Sequence, residues 1–201
     1  SKFDIDIPNF DESELIVQLQ KTNNDTYMNL FNLTNDSAMI PMSLDKLNSF
    51  ISLSSYNDSL DFNTSLAVYE KLGNLSSDRY QFIFPAYNLS KDIDADAYNL
   101  NGSLSFKSEG SHNLHDTNIS EARIVNDLNY ASVDSFLDNG IQHNYNLLFK
   151  NVNTKGSNST KYKDKAESEF LTSIIFNSSY PLLREGLNYN DYFIPKMSAR
   201  Y

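Results

Sequence analysis

The sequence contains no cysteine and no tryptophan among its 201 residues, and only 6 glycines and 5 prolines. Without cysteine, the chain has no disulfide framework, no thiol nucleophile and no cysteine-ligated zinc site. The absence of cysteine does not by itself identify a cellular compartment. Long apolar runs are also missing, since no window approaches about 18 consecutive apolar residues. A transmembrane helix is therefore excluded.

Positive charge is scarce. Lys and Arg number 16 against 26 Asp and Glu, so the formal net charge is -10 at pH 7, with an isoelectric point near 4.6. Binding to a nucleic-acid backbone requires a positive surface that neutralises phosphates. The charge balance argues against a nucleic-acid partner.

Polar amides and hydroxyls are abundant instead. The sequence has 26 Asn and 27 Ser, together with 13 Tyr and 13 Phe. Disordered chains are polar too, but they are poor in aromatic residues. Many aromatics combined with many small polar residues are typical of sheets with one hydrated and one apolar face. We therefore predict an all-β chain.

Alternation of polar and apolar residues dominates the chain from residue 14 onward and predicts an antiparallel meander of about ten long strands. Strand candidates lie at 14–20, 60–69, 79–86, 98–107, 121–130, 141–150, 173–177 and 193–201, with weaker ones near 26–33 and 47–56. Turns are predicted at Gly73-Asn74, Asp94–Asp96, Gly110-Ser111, Asp138–Gly140 and Lys155–Ser157. Segment Thr160–Phe170 carries charges at spacing two and is interpreted as a solvated strand extension or hairpin arm.

Eleven Asn-x-Ser/Thr triplets occur, for example at Asn63, Asn88, Asn101 and Asn177. They match glycosylation acceptors of secreted proteins. A hydrated strand face also enriches polar residues at spacing two, because residues i and i+2 share a face. We favour the hydrated-face interpretation.

Two architectures bury one face of each strand. A soluble sandwich packs two apolar rows together, whereas an outer-membrane barrel turns them toward lipid. Three features favour the barrel: strands of about ten residues, amide-rich polar rows, and tyrosines near strand ends, as at a membrane interface. These tyrosines are Tyr69, Tyr80, Tyr87, Tyr98, Tyr130, Tyr180 and Tyr192.

Four segments carry a family resemblance: Ser77–Tyr87, Ala122–Tyr130, Ser179–Arg184 and Tyr192–Tyr201. Together they resemble the barrel of the LPS-assembly protein LptD family, and their order and spacing match early-to-middle strands of that barrel. The resemblance is clearest over residues 60–201, and residues 1–59 are compatible with it but carry no motif. It implies that residues 1–201 are part of a transmembrane β-barrel domain. We expect an incomplete piece of a larger barrel, because the chain stops at Tyr201 within a predicted strand.

The resemblance also implies a function. The family forms the outer-membrane translocon that inserts lipopolysaccharide into the outer leaflet. Its partners are lipopolysaccharide, outer-membrane lipid, an LptE-like plug lipoprotein and a periplasmic bridge protein that delivers the substrate. The implied location is the cell outer membrane, the implied mechanism is a passive conduit, and no cofactor is implied.

Six cationic residues fall on predicted polar rows and are candidate lipopolysaccharide contacts: Arg79, Lys107, Arg123, Lys150, Lys196 and Arg200. Guanidinium and ammonium groups bind phosphate strongly. The alternative, which we favour, is that they pair with Asp and Glu across strands and stabilise the wall.

No constellation for catalysis stands out. The triplet Asp92, Asp94 and Asp96 fails as a calcium loop because Ala97 and Ser103 replace the required Gly and Glu. His112 and His115, beside Asp116, are predicted to lie in a solvated loop, and His143 in an apolar row. Nucleophile-elbow, phosphate-loop and HExxH motifs are absent. We predict that the protein is not an enzyme.

Two other functions remain open. A porin or receptor-type barrel for small solutes shares the same strand pattern. A secreted glycan-binding β-sandwich or adhesin shares the alternation. Proline has no backbone N–H to donate to a neighbouring strand. We therefore expect the three prolines of the strand regions at strand ends or bulges: Pro85, Pro181 and Pro195.

Overall fold

The computed structural model describes residues 1–26, 45–73, 77–116, 118–185 and 190–201. The predicted fold class is confirmed: the chain is all-β, and its strands form an antiparallel meander. Within the described ranges, no helix has the length and apolarity needed to cross a membrane. The weak strand candidate near 26–33 lies outside the described residues, apart from Thr26.

In the described part of the chain the strands are more numerous than the alternation predicts, and those from β3 to β10, apart from the short β8, extend beyond their predicted bounds. Their bounds are β1 Lys2–Asp4, β2 Glu12–Gln18, β3 Lys46–Asn57, β4 Leu60–Lys71, β5 Tyr80–Ile93, β6 Gly102–His115, β7 Ile119–Ser132, β8 Ser135–Phe136, β9 Gln142–Ser157, β10 Glu167–Ser179, β11 Leu182–Glu185, β12 Asn190–Phe193 and β13 Lys196–Arg200. Single-turn 3-10 segments at Ser77–Arg79 and Asp96–Tyr98 precede β5 and β6.

Strand pairing follows chain order. Neighbours run β1-β2-β3-β4-β5-β6-β7-β9-β10-β13, β8 pairs with β9, and β11 pairs with β12 in a separate ladder. The β3–β4 hairpin shows how register is set: Asn57 pairs with Leu60, and the Asn57 Oδ1 accepts the backbone N–H groups of Ser59 at 3.0 Å and Leu60 at 2.9 Å. This Asx-type turn fixes every pair back to Lys46 opposite Lys71.

The pairing divides each strand into two rows. In β4, Asp61, Asn63 and Ser65 share one face, while Phe62 and Leu66 lie on the other. In mid-strand the apolar row is exposed: Ile51 and Leu66, which pair across β3 and β4, are 45% and 46% exposed. Toward the start of β3 the same row is buried at Leu47.

Few apolar side chains are buried. In the described part of the chain, the buried hydrophobic residues are Leu47, Ala67, Ala95, Val125 and Tyr130. Stability therefore depends on ladder hydrogen bonds and cross-strand pairs more than on an internal core.

The chain divides into two compact units. The first comprises Ser1–Lys91, Lys107–Val125 and Val152–Glu169, and the second comprises Asp92–Phe106, Asn126–Asn151 and Phe170–Tyr201. In the first, the loop after β9 is anchored where Ser159 Oγ donates to Glu121 at 2.6 Å and the Asn158 amide donates to the Asn118 carbonyl at 3.0 Å. In the second, the Tyr130 hydroxyl donates to the Asn101 carbonyl at 2.8 Å, and the Tyr130 ring lies 5.8 Å from that of Tyr145.

The strand predicted over 98–107 begins too early. Tyr98 belongs to the 3-10 turn, Asn99 has a left-handed φ of 56°, and β6 starts only at Gly102. The alternation of Tyr98 and Leu100 with asparagines imitates a strand, but the left-handed Asn99 interrupts extended backbone. The prediction for Tyr98 as a strand-end residue is therefore wrong.

Two predicted turns lie inside strands. Gly110-Ser111 is in β6, where a Cβ on Gly110 would come 2.4 Å from Cε1 of Tyr87. Lys155–Ser157 is in β9, where a Cβ on Gly156 would come 2.5 Å from the Tyr162 carbonyl oxygen. At both positions the glycine allows another part of the chain to approach its backbone closely, and it does not mark a turn.

Pro85 lies at an irregularity in β5, as expected. Ser65 pairs with Ala86, but Ala67 pairs with Ile83, so the β4–β5 ladder shifts register there. A bulge leaves a residue outside the ladder, which accommodates a residue with no N–H. In contrast, β10 begins at Glu167, so residues 160–166 are not the strand extension that the charge spacing predicts.

Not all of the tyrosines predicted to lie near strand ends, at a membrane interface, do so. Tyr69, Tyr80, Tyr130 and Tyr180 lie at or near strand ends, but Tyr87 lies in the middle of β5. Its hydroxyl is 3.2 Å from Ser108 Oγ while its ring lies against Gly110. The side chain of Tyr192 lies outside the described part of the structure.

Candidate functional site

The six candidate cations fall in both units. Arg79, Lys107 and Arg123 belong to the first unit, and Lys150, Lys196 and Arg200 to the second. Five of them lie on strands. Arg79 does not: it ends the 3-10 turn Ser77–Arg79, so its placement on a strand row is wrong.

Arg79 is the centre of an ion-pair cluster. Its guanidinium binds Asp25 through Nη1 and Nη2 at 3.0 and 2.7 Å, and Nε donates to Glu70 Oε1 at 2.7 Å. The Gly73 N–H also donates to Asp25 at 3.1 Å, and the Tyr80 hydroxyl donates to Glu70 at 3.2 Å. A planar guanidinium suits this two-sided contact. The cluster ties the β4–β5 connection to the segment after β2.

The contact with Arg79, assisted by the Gly73 N–H, holds the pKa of Asp25 below its ordinary value of 3.8. Because the folded-state pKa is lowered, the resulting stabilisation is complete above pH 3.8 and is lost as the pH falls from there through the lowered value. We expect Asp25→Asn to remove this part of the acid dependence of unfolding. Denaturant titrations at several acidic pH values would measure it.

Asp138→Asn is the matched control, since Asp138 lies exposed in the turn before β9. Equal flattening of the pH dependence by both substitutions would contradict a specific role for the Asp25–Arg79 contact.

The other cations of the first unit differ in their partners. Arg123 Nη1 lies 3.0 Å from Glu109 Oε1, with both side chains about half exposed. Lys107 is exposed and has no ion-pair partner among the described residues. An exposed pair such as Arg123–Glu109 contributes little to stability.

In the second unit, Lys150 Nζ lies 3.2 Å from Asp127 on the neighbouring strand β7. Arg200 Nε donates to Ser173 Oγ at 3.2 Å. Lys196 lines an apolar cavity of about 450 Å³ together with Tyr180 and Met197. Of the six candidates, Arg79, Arg123 and Lys150 thus pair with carboxylates.

A chain of polar side chains crosses the second unit. Gln142 and Asn144 both donate to Asp134, at 2.5 and 2.6 Å, and Asn177 donates to Asn144 at 2.9 Å. Amides can donate and accept at once, so Asn144 donates to the Asp134 carboxylate while its Oδ1 accepts from Asn177 on the neighbouring strand β10. Alternating amides in β9 indicate this row in the sequence, but their partners depend on register.

The histidines on β6 contact polar neighbours. His112 and His115 lie on β6 instead of the predicted loop. His112 Nε2 is 2.9 Å from Ser120 Oγ, and His115 lies between Asp116, at 3.1 Å, and Glu121, at 3.9 Å. Across the described ranges, no group of three His, Asp or Glu side chains is arranged to hold a metal ion.

Of the residues that line a polar cavity of about 260 Å³ in the first unit, the sequence-based candidates include Arg79 but not Lys46 or Lys71. Lys46 and Lys71, at the first position of β3 and the last of β4, line it with Arg79 and His115. The signal that could have identified the lysines is the hairpin register, which the Asn57–Leu60 turn determines. No known protein family and no curated protein matches this chain.

Proposed function

We propose that the chain is part of an outer-membrane translocon that inserts lipopolysaccharide into the outer leaflet. Its role is that of a passive conduit wall, with energy supplied elsewhere in the export machinery. The observation that carries the proposal is the division of long meander strands into a polar row and an apolar row whose mid-strand residues Ile51 and Leu66 are exposed.

The exposed apolar rows support a lipid-facing wall. Outer-membrane barrels alternate apolar residues toward lipid with polar residues toward the lumen. Strands β3 and β4 have 12 residues each, and tilted strands of about 9–11 residues cross a bilayer. A glycan-binding sandwich would instead pack such rows against a second sheet.

The polar rows support a hydrated conduit. Amide and carboxylate contacts such as Asn177–Asn144 and Lys150–Asp127 hold neighbouring strands together. Sugar hydroxyls of a glycolipid exchange hydrogen bonds with such a surface readily. The LptE-like plug lipoprotein and the periplasmic bridge protein belong to this proposal through the family resemblance alone.

Depletion of the protein that contains this chain tests the function in its source organism. We expect newly made lipopolysaccharide to disappear from the cell surface, measured by labelling intact cells and comparing them with lysed cells. Re-expression of the unaltered protein should restore the surface label. Unchanged surface lipopolysaccharide after depletion would contradict the proposal.

A porin-type barrel for small solutes is the second candidate. It is favoured by the neutralisation of Arg79, Arg123 and Lys150 by acids, which leaves fewer free cations for an anionic lipid. Liposome swelling in sugar solutions distinguishes the two. A persistent pore that admits sugars, with normal surface lipopolysaccharide after depletion, would favour the porin.

A further inference from the structure

We propose that Lys46 and Lys71 form a phosphate-binding site on the polar face of the first unit. The site lies in the cavity of about 260 Å³ at the end of the β3–β4 hairpin. Its ligand is a phosphate monoester, and the assignment of that phosphate to a phosphorylated glycolipid rests on the function proposed above.

The hairpin register brings the two ammonium groups together. Lys46 and Lys71 are directly paired residues of adjacent antiparallel strands, so their side chains leave the same face with Cβ atoms about 5 Å apart. Like charges in such a pair destabilise a sheet. Neither lysine has an ion-pair partner within the described ranges, so an anion bound between them would relieve the repulsion.

Arg79, another cation of the cavity, is bound by Asp25 and Glu70. Two carboxylates, Asp78 and Asp116, also line the cavity, and Asp116 contacts His115. Lys46 and Lys71 are therefore the two cavity lysines without an ion-pair partner among the described residues.

Neighbouring polar groups complete the site. Tyr69 and Gln81 are paired residues of β4 and β5, and both line the cavity. The Tyr69 hydroxyl and the Gln81 amide can donate hydrogen bonds, and each lysine ammonium has three donors. A phosphate monoester carries about -1.5 to -2 charge at neutral pH and accepts several such bonds.

The position at strand ends suits a glycolipid phosphate. Lys46 begins β3 and Lys71 ends β4, at the end of the hairpin away from its Asp58-Ser59 turn. In a transmembrane barrel, strand ends lie at the level of the lipid headgroups. The phosphates of lipopolysaccharide lie in that layer once the lipid has reached the outer leaflet.

The test uses the 201-residue chain in detergent micelles, with circular dichroism to verify strand content in every variant. Isothermal calorimetry measures the binding of inorganic phosphate, and of a phosphorylated glycolipid against its dephosphorylated form in mixed micelles. The test variant is Lys46→Gln/Lys71→Gln. The control is Lys91→Gln/Lys161→Gln, which removes the same charge from the first unit outside the cavity.

We expect the test variant to bind inorganic phosphate at least tenfold more weakly than the unaltered chain, because two charge-assisted donors are lost. The control should bind within about twofold of the unaltered chain. No phosphate binding by the unaltered chain, or equal losses in the two variants, would overturn the site. Phosphate binding without preference for the phosphorylated glycolipid would support the site but overturn its assignment to a glycolipid phosphate, while the depletion experiment tests the proposed function separately.

Discussion

Ile51→Arg is expected to destabilise the chain in lipid bilayers by about 2–4 kcal/mol, provided that the apolar row faces lipid. Ile51 lies in the middle of β3 and is 45% exposed. An arginine side chain at this mid-strand position would have to be transferred from water into the hydrocarbon core of the bilayer. No carboxylate lies opposite it on β4 to pair with its charge, because the β4 partner of Ile51 is Leu66. Equilibrium unfolding by guanidinium from lipid vesicles measures the difference.

Ser52→Arg is the matched control for Ile51→Arg. Ser52 is the next residue of the same strand and pairs with Ser65 on the polar row. If that row faces an aqueous lumen, the substitution should change the unfolding free energy by less than about 1 kcal/mol. Equal losses for the two arginines, or a greater loss for Ser52→Arg, would contradict a lipid-facing Ile51 row.

Gly102→Ala is expected to cost about 3 kcal/mol in unfolding free energy, from backbone strain and steric overlap together. Gly102 has a φ of 155°, and a Cβ there would come 2.2 Å from the Ala131 carbonyl oxygen. Since the obstructing atom belongs to the backbone of β7, no side-chain rotation relieves the overlap. Denaturant unfolding in micelles measures the loss.

Gly73→Ala separates the two contributions to the Gly102 result. Gly73 has a φ of 79°, but a Cβ there meets nothing within 4 Å. Its substitution should cost about 1 kcal/mol from conformational strain alone. A cost for Gly102→Ala no greater than for Gly73→Ala would show that the β6–β7 approach is looser than the 2.2 Å separation indicates.

For the cationic residues, the sequence pattern predicts which of them lie on strands but not which acids they pair with. Alternation assigns Lys107, Arg123, Lys150, Lys196 and Arg200 to strands, and they lie on strands. The partners of Arg123 and Lys150 are acids on neighbouring strands, and those contacts depend on register. The paired lysines at the start of β3 and the end of β4 were missed for the same reason.

Local patterns failed where one residue type serves two purposes. Glycine frees the backbone at Gly73, but at Gly110 it makes room for the Tyr87 ring from a neighbouring strand. Sequence alone does not distinguish these two uses of glycine. The second use depends on Tyr87, which precedes Gly110 by 23 positions in the chain.

The sequence by itself determined the all-β class, the sites of most strands and the two-row character of their faces. These follow from side-chain alternation, which is a property of extended backbone at every residue. Only the tertiary structure decided register, and with it the pairing of Lys46 with Lys71, the bulge opposite Pro85 and the partners of Arg79. Register and long-range contacts depend on turn geometry and on which side chains meet between distant segments, and a periodicity of two is the same in every register.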